Sequence, residues 1–246
     1  MGRRKQSTRQ SFQLLRLVGM KKDKRVQAHL TNFSDKPKGY FEGIRSEMLK
    51  YIPAGTRTTL EVGCGLGGFS ALVKEKFEAE TWAVEVDKEA AQEAAKKLNT
   101  VINRDIGTSL NQIPDNYFDC IIFLDVLEHL ADPYSLLVRM REKLTDNGVI
   151  VASIPNVRYY RNLIDLVLKG NWDYQDAGIL DKTHLRFFTY KSILKMFEQL
   201  GFEVLVIEGI QPTRNKRLRL LNTLLFKALE DVKYLRFVAV ARPRTR

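Results

Sequence analysis

The chain has few cysteines, few histidines and no long uninterrupted apolar run. Its 246 residues include two cysteines, Cys64 and Cys120, which are too few for a disulfide framework. No apolar run reaches the length that crosses a bilayer, and no apolar segment with a cleavage site stands at the N-terminus. These absences argue against a membrane-spanning or disulfide-stapled protein, and they predict a reducing, cytoplasmic setting.

Acidic residues are scarce at both ends of a chain whose net charge is +11. Residues 1–25 carry nine Lys or Arg against one acid, and residues 212–246 carry ten against two, so the body between them is mildly acidic. Basic ends favour a polyanion. We therefore expect the basic termini to contact an anionic membrane, at its inner face, with nucleic acid as the second choice. Solvated tails that keep the protein soluble are the alternative.

Strand-like and helix-like segments alternate through most of the sequence. Apolar strand patterns fall at 58–62, 81–86, 100–103, 118–124, 147–153, 202–208 and 234–241. Helical patterns fall at 68–77, 88–98, 133–144, 190–200 and 215–230. Such alternation predicts a mostly parallel sheet covered by helices on both faces. A hairpin-like return between the last two strands would make the final strand antiparallel.

Two segments stand outside this alternation. Residues 1–38 predict a basic N-terminal appendage to a domain that spans 39–246. Residues 155–189 follow no regular period, and they predict a substrate or lid insertion after the fifth strand. A helix is predicted from Tyr40 to Tyr51.

A glycine-rich turn, LEVGCGLGGFS, joins the first strand to the first helix of the alternating region. Gly63, Gly65 and Gly67 carry no Cβ, so the backbone can bend sharply and approach a ligand closely. The spacing G-x-G-x-G departs from the G-x-G-x-x-G dinucleotide signature, and Glu61 lies two residues before the first glycine. A carboxylate there would crowd a pyrophosphate, but it suits a ligand that carries an ammonium and a sulfonium.

Three more acids end successive strands. Glu85 ends the second strand, where it can accept hydrogen bonds from both ribose hydroxyls, and Asp105 follows the third, within reach of an adenine amine. Asp125 ends the fourth strand. Because the carboxyl ends of parallel strands converge, these acids and Glu61 are expected to ring one cleft. The alternative is that they only cap the helices that follow.

The succession VGCGLGG, AVEVD, RDI and FLDVLEHLADP resembles the class I S-adenosylmethionine-dependent methyltransferase family over about residues 40–210. The resemblance implies a Rossmann-like, seven-stranded sheet in the order 3-2-1-4-5-7-6, with the last strand antiparallel. It implies S-adenosylmethionine as methyl donor, and it places Tyr40 near the methionine end of that cofactor.

Two hypotheses account for the acceptor's proton. In the first, His184 is a general base over the cleft, oriented by Asp181 or Arg186. In the second, a divalent metal clamps the acceptor. The candidate ligands of that metal are Asp125, Glu128, His129 and His184.

The D-x-x-E-H spacing supports the metal, because one helical turn would point its three residues the same way. It is similar to the E-x-x-E-H group of ubiquinone-pathway O-methyltransferases and of RNA 3′-terminal 2′-O-methyltransferases, with Asp125 in place of the first Glu. A third interpretation is that Glu128 and His129 merely begin a helix. The catalytic candidates are therefore His184, Asp125 and His129.

The segment from Ile154 to Ile193 resembles methyltransferases of bacterial surface-polysaccharide and lipopolysaccharide synthesis. Its aromatic residues, which could stack on sugars or pack the insertion onto the sheet, are Tyr159, Tyr160, Trp172, Tyr174, Phe187 and Phe188. The predicted substrate contacts are Asn156, Tyr160, Asp181 and Arg186. We expect O-methylation of a sugar hydroxyl in a cell-surface glycan or its precursor. An RNA 2′-O-methyltransferase and a quinone-pathway or small-metabolite O-methyltransferase are the alternatives.

Overall fold

A computed structural model of the protein describes residues 44–224 and 227–244. Seven strands form one sheet in the order β3-β2-β1-β4-β5-β7-β6. They are β1 (Thr58–Val62), β2 (Glu80–Glu85), β3 (Thr100–Asn103), β4 (Phe118–Leu124), β5 (Leu144–Pro155), β6 (Phe202–Pro212) and β7 (Tyr234–Pro243). The predicted appendage at 1–38 and Tyr40 lie outside the described residues.

Helices connect the strands. They are α1 (Gly68–Phe77), α2 (Lys88–Ala95), α3 (Ile106–Ser109), α4 (Pro133–Lys143), α5 (Tyr160–Lys169), α6 (Tyr190–Gln199) and α7 (Lys216–Leu224). Short 3₁₀ segments lie at Ser46–Tyr51, Leu110–Gln112, Leu127–His129 and Glu230–Lys233. No helix within the described ranges is long and apolar enough to cross a membrane.

Strand direction follows the prediction. Strands β1 to β5 pair in parallel, whereas β7 runs antiparallel to both β5 and β6. The Rossmann-like fold, its strand order and the antiparallel last strand are therefore confirmed. Because β6 runs parallel to β5, the carboxyl ends of β1 to β6 and the start of β7 all lie at one edge of the sheet.

Two apolar layers cover the sheet, one on each face. Along β5, Ile150, Ala152 and Ile154 enter one layer, while Val149 and Val151 enter the other. Helices α4 and α6 pack into the first layer, and α1 packs into the second with the 3₁₀ segment before β1. Central strands buried on both faces explain why their sequences are almost continuously apolar. Both cysteines are buried and free.

Three helical predictions differ from the structure. Within the described residues, the helix predicted from Tyr40 to Tyr51 is a 3₁₀ helix at Ser46–Tyr51. The insertion contains α5, which the sequence did not predict because residues 155–189 as a whole follow no regular period. The predicted helix at 215–230 is interrupted: α7 ends at Leu224, and a turn follows before Glu230. Asn222 shapes that turn, since its backbone oxygen accepts from Lys227 N at 2.8 Å and its Oδ1 accepts from Leu229 N at 2.8 Å.

Gly209 of β6, the outermost strand of the sheet on this side, provides a test of how this strand packs against Tyr234. A Cβ at this position would overlap the ring of Tyr234, which lies against the strand. We expect Gly209→Ala to lower the free energy of unfolding by about 1–3 kcal/mol, because the ring must be displaced. Val206→Ala, at a half-exposed position of the same strand, should cost less than about 1 kcal/mol. Urea unfolding of both variants measures the difference, and equal losses would contradict the contact.

Candidate cofactor and methyl-transfer site

The glycine turn adopts a backbone that needs glycine. Gly63, Gly65 and Gly67 have φ angles of 73°, 55° and 73°, in the left-handed region that other residues rarely adopt. A Cβ on Gly63 would also lie 2.7 Å from a methyl of Val126, which follows β4. The turn thus packs tightly against the residue that follows β4, and this packing also requires a glycine at position 63.

Glu61, near the end of β1, is buried beneath this turn. Its side chain accepts a hydrogen bond of 2.5 Å from Ser70 Oγ of α1. Burial is the main cause that raises the pKa of this carboxyl to about 8. At neutral pH the ligand-free site therefore holds a largely protonated acid, which a cationic ligand would ionise.

Glu85, the last residue of β2, holds the turn from the neighbouring strand. Its carboxylate accepts from Gly65 N at 2.8 Å and from Asp87 N at 2.9 Å. Burial raises the pKa of Glu85, although the two N–H donors oppose that shift. The structure places Glu61 and Glu85 at the carboxyl ends of β1 and β2, where the sequence predicted them. Their roles in binding a ligand stay predictions.

Asp105 follows β3 and is exposed to solvent. Its carboxylate accepts from Gly107 N at 2.8 Å and caps the short helix α3. In this structure Asp105 therefore makes the capping contact that was the alternative interpretation, and its contact with adenine stays a prediction.

In the described part of the chain, the carboxylate of Asp125 forms hydrogen bonds with two arginines, and not with the histidine that lies near it in sequence. Its backbone has a φ of 56°, and its Oδ2 accepts from Arg45 Nη1 at 2.9 Å and from Arg236 Nε at 2.7 Å. Its Oδ1 accepts from Ser153 at 2.9 Å. Within the described residues, Arg45 Nη2 is buried and has no hydrogen-bond partner. That donor suits the carboxylate of a ligand.

Three of the four predicted metal ligands come together. One donor atom each from Glu128, His129 and His184 lies within 4.8 Å of the others, and Asp125 is outside this group. The reason is local: Leu127–His129 is a 3₁₀ segment, and the left-handed backbone of Asp125 precedes it, so Asp125, Glu128 and His129 do not share one α-helical face. Metal binding stays a prediction.

Glu128 is the most unusual residue of the group. It is 1% exposed, and neither carboxyl oxygen has a hydrogen-bond partner among the described residues. Burial, together with the nearby Asp125 carboxylate, raises the pKa of Glu128 well above its ordinary value. One of its oxygens lies 3.8 Å from His184 Nε2.

Backbone contacts hold the two histidines. His184 Nδ1 lies 2.9 Å from the carbonyl oxygen of Ile179, so Nδ1 is the donor and the lone pair of the neutral ring is on Nε2. His129 Nδ1 lies 3.0 Å from Thr183 Oγ1, which in turn donates to Asp181 at 2.7 Å. The imidazole rings meet edge to face at 4.6 Å.

Asp181 and Arg186 were predicted to orient His184 and to contact substrate. The side chain of buried Asp181 accepts from Thr183 N at 2.9 Å and acts on His129 through the Thr183 hydroxyl. Arg186 is exposed, and its guanidinium donates to the backbone oxygen of Ala131. Both lie in the loop that presents His184, and their substrate roles stay predictions.

Asn156 is fully buried at the end of β5, where it joins the chain to the start of β7. Its amide donates at 2.9 Å to the backbone oxygens of Asp231 and Tyr234, and its Oδ1 accepts from Arg158 N. Tyr160 is half-buried, and its hydroxyl accepts from Arg161. Asn156 therefore has a structural role here, and substrate contacts by either residue stay predictions.

Sequence reasoning missed several site residues, and all of them except Ser70 lie far along the chain from the groups they bind. They are Arg45, Ser70, Ser153, Thr183 and Arg236. None belongs to a recognisable spacing. Ser70 lies one helical turn after the glycines, and this position was the best indication in the sequence that one of these residues belongs to the site.

A Rossmann-like sheet with buried acids around its glycine turn defines a domain that binds a nucleoside-containing cofactor. Comparison with known proteins identifies its family: a sequence profile described as "Methyltransferase domain" matches residues 24–207. That match covers most of the chain, and the chain belongs to this family.

Individual relatives are distant. The chain is 27% identical to ajmaline N-methyltransferase of Rauvolfia serpentina over 101 residues, which cover 39% of this chain and 35% of that protein. It is 33% identical to an uncharacterized methyltransferase of Schizosaccharomyces pombe over 118 residues, 42% of this chain and 41% of that protein. The matched part therefore spans less than half the length of these curated relatives.

A solved structure supports the fold. The crystal structure of a SAM dependent methyltransferase from Archaeoglobus fulgidus superposes with a TM-score of 0.63 at 23% identity. The match covers 83% of this chain and 96% of that chain. The fold is that of S-adenosylmethionine-dependent methyltransferases, and family and fold together imply this cofactor.

Glu61 predicts a pH-dependent stability. A carboxyl whose folded pKa of about 8 exceeds its ordinary value of 4.5 contributes stability that is full below pH 4.5 and is lost as pH rises toward 8. Glu61→Gln keeps an oxygen for Ser70 and cannot ionise. We expect this variant to melt above the wild type at pH 8, with the gap closing near pH 5.

Differential scanning fluorimetry of the ligand-free protein across this pH range measures the gap. Glu75→Gln, an exposed position on the same α1 helix, is the control and should follow the wild type. A Glu61→Gln curve parallel to the wild type at every pH would show that Glu61 is not a buried, protonated acid.

Proposed function

We propose that this chain transfers a methyl group from S-adenosylmethionine to a hydroxyl oxygen of a sugar, in a cell-surface glycan or its precursor. The observation that carries the choice of oxygen is the buried Glu128 carboxyl, unpartnered among the described residues and 3.8 Å from His184 Nε2. Both groups lie at the carboxyl edge of the sheet, the edge that also carries the glycine turn.

The chemistry of the acceptor explains why this pair matters. In the transfer, the sulfonium C–S bond breaks with its electron pair going to sulfur, while an oxygen lone pair forms the new C–O bond. A hydroxyl must also lose its proton, which His184 Nε2 accepts in this proposal. A neutral amine needs no base before it attacks. A carboxyl–imidazole pair at this edge therefore favours an oxygen acceptor.

Glu128 assists in this scheme through electrostatics. A positive charge that forms on the His184 imidazole favours ionisation of the Glu128 carboxyl, whose oxygen lies 3.8 Å from Nε2, and the two charges then stabilise each other. Thr183 and Asp181 meanwhile fix the neighbouring His129 ring through its Nδ1. Alignment of the acceptor with the methyl group supplies much of the remaining acceleration.

The same residues could hold a divalent metal ion as a second possibility. A carboxylate oxygen and two imidazole nitrogens within 4.8 Å are a suitable donor set, and an ion would give the Glu128 oxygens a partner. Such an ion, when bound, would acidify an acceptor hydroxyl. Glu128, His129 and His184 would be its protein ligands.

The insertion supports a sugar as the acceptor. Tyr174 is 57% exposed, and Trp172 packs edge to face on Phe187 at 5.4 Å, beside the His184 loop. Flat aromatic faces near a base suit the apolar faces of a sugar ring. Phe188, by contrast, is buried in the core and is not available for such stacking.

RNA 2′-O-methylation is the second candidate function. It is favoured by the overall charge of +11 and its concentration at the two ends of the sequence. The two candidates differ in a measurable way, because RNA binding through basic residues weakens steeply with added salt.

Variants of the proton-accepting pair test the mechanism. His184→Ala and Glu128→Gln should each lower the rate of methyl transfer by roughly 10²–10⁴-fold, the usual contribution of general acid–base catalysis. The dissociation constant for S-adenosylmethionine, measured by calorimetry, should stay near the wild-type value. Lys182→Ala, an exposed position in the same loop, is the matched control. Full turnover by His184→Ala would remove its role as base.

Two further experiments test the need for a metal ion and the identity of the acceptor. If the histidine acts directly, extensive treatment with EDTA leaves the rate unchanged, whereas loss of activity restored by Mg²⁺ or Mn²⁺ supports the metal site instead. A screen of labelled methyl transfer onto surface glycans, quinol precursors, small metabolites and RNA, followed by mass spectrometry, identifies the methylated atom. Methylation at nitrogen alone would overturn the proposal of a hydroxyl acceptor.

A further inference from the structure

Helix α5 in the insertion turns apolar side chains toward solvent. Val167 and Leu168 are 72% and 77% exposed, and Ile164 is 41% exposed. The inward side of the helix instead holds Asn162, which is buried and donates to the backbone oxygen of Val157. Single exposed apolar residues are common, but a contiguous group on one helix indicates an interaction surface.

Helix α7 repeats this arrangement. Leu220 and Leu224 are 65% and 66% exposed, and with the exposed Lys216 they form a stripe of residues four apart on the outward side. The opposite side of α7 holds the buried Asn222, whose amide donates to Glu230 at 2.7 Å. Two helices from separate parts of the chain thus leave apolar stripes uncovered within the described structure.

The two helices begin beside each other at the edge of the sheet that carries the site. Hydrogen bonding to Arg161 and to Thr213 and Asn215, which precede α7, contributes to a lowered pKa of Tyr160 at the start of α5. Arg158 forms a 2.9 Å ion pair with Asp231. The outward stripes of both helices, Ile164, Val167, Leu168, Leu220 and Leu224, are called the apolar patch below.

Exposed basic residues lie at the starts of both helices that carry the apolar patch. Arg161 is exposed on α5, and Arg214 and Lys216 are exposed at the start of α7. The sequence from 214 to 219 contains four Lys or Arg and no acid. A helix with exposed Leu and Val next to Arg and Lys has the composition that rests on an anionic bilayer, where the apolar side chains enter the acyl boundary and the cations meet lipid phosphates.

We propose that the apolar patch docks this protein on an anionic membrane surface, at the end of the sheet that carries the methyl-transfer site. Docking there differs from simple attraction by the basic termini, because it requires the Val167, Leu168, Leu220 and Leu224 side chains. The proposal does not depend on the acceptor or on catalysis, since membrane binding is measured without turnover.

Co-sedimentation of the full chain with vesicles tests the proposal. The probes are vesicles of phosphatidylcholine alone and of phosphatidylcholine mixed with phosphatidylglycerol. We expect binding to the mixed vesicles only, weakened by salt. The variants Val167→Ser with Leu168→Ser, and Leu220→Ser with Leu224→Ser, should each bind at least about tenfold more weakly, because apolar area no longer leaves water.

The matched control is Tyr134→Ser with Val138→Ser, which removes two similarly spaced, exposed apolar side chains from α4. It should bind vesicles like the wild type. Circular dichroism and thermal melting check that each variant is folded. Unchanged vesicle binding by the folded patch variants, or no binding of the wild type at low salt, would overturn the proposal.

Light scattering tests whether a second copy of the chain, instead of a membrane, covers the apolar patch. If the wild type is a dimer and the patch variants become monomers, a second copy of the chain covers the apolar patch, and the proposal is wrong. A monomeric wild type whose vesicle binding depends on the patch supports it.

Discussion

The burial of three glutamate side chains at one edge of the sheet is the constraint on which the site depends. A carboxylate removed from water is unfavourable unless it is paired or protonated. Glu61 is buried with a serine partner, and its raised pKa keeps it largely protonated. Glu85 accepts two backbone N–H groups, and this contact shapes the glycine turn. Glu128 has no hydrogen-bond partner within the described chain, and burial raises its pKa well above the ordinary value. The three acids have similar sequence settings but different physical states.

The left-handed backbone at Asp125 directs its carboxylate away from the direction that Glu128 faces. Had this residue continued a regular helix, its carboxylate would face the same way as Glu128. It instead turns toward Arg45, which precedes β1, and Arg236, from β7. One carboxylate therefore ties the entry segment, the fourth strand and the last strand together. This contact fixes the Arg45 guanidinium, whose Nη2 is buried, at the end of β4.

Local patterns predicted the strands and the acids that end them, because strand periodicity is a property of neighbouring residues. The meeting of these acids followed from the rule that parallel strands end at the same side of a sheet. The partners of those acids were not predictable, since Arg45 and Arg236 are 80 and 111 residues from Asp125 in sequence. Helix α5 was missed for a different reason. It is one ten-residue helix inside a longer segment, residues 155–189, which as a whole follows no single period.

The state of Glu128 bears on which acceptor the site can serve. A buried carboxyl without hydrogen bonds costs about 1–3 kcal/mol relative to a satisfied one. Protonation reduces the cost of its charge but leaves a donor and an acceptor unmatched. A ligand that brings either a cation or a hydrogen-bonding hydroxyl would recover this energy on binding, whereas an apolar acceptor would not. The unused hydrogen-bonding capacity of Glu128 therefore supports a polar acceptor in the proposed reaction, in which the His184 imidazole would take the acceptor's proton.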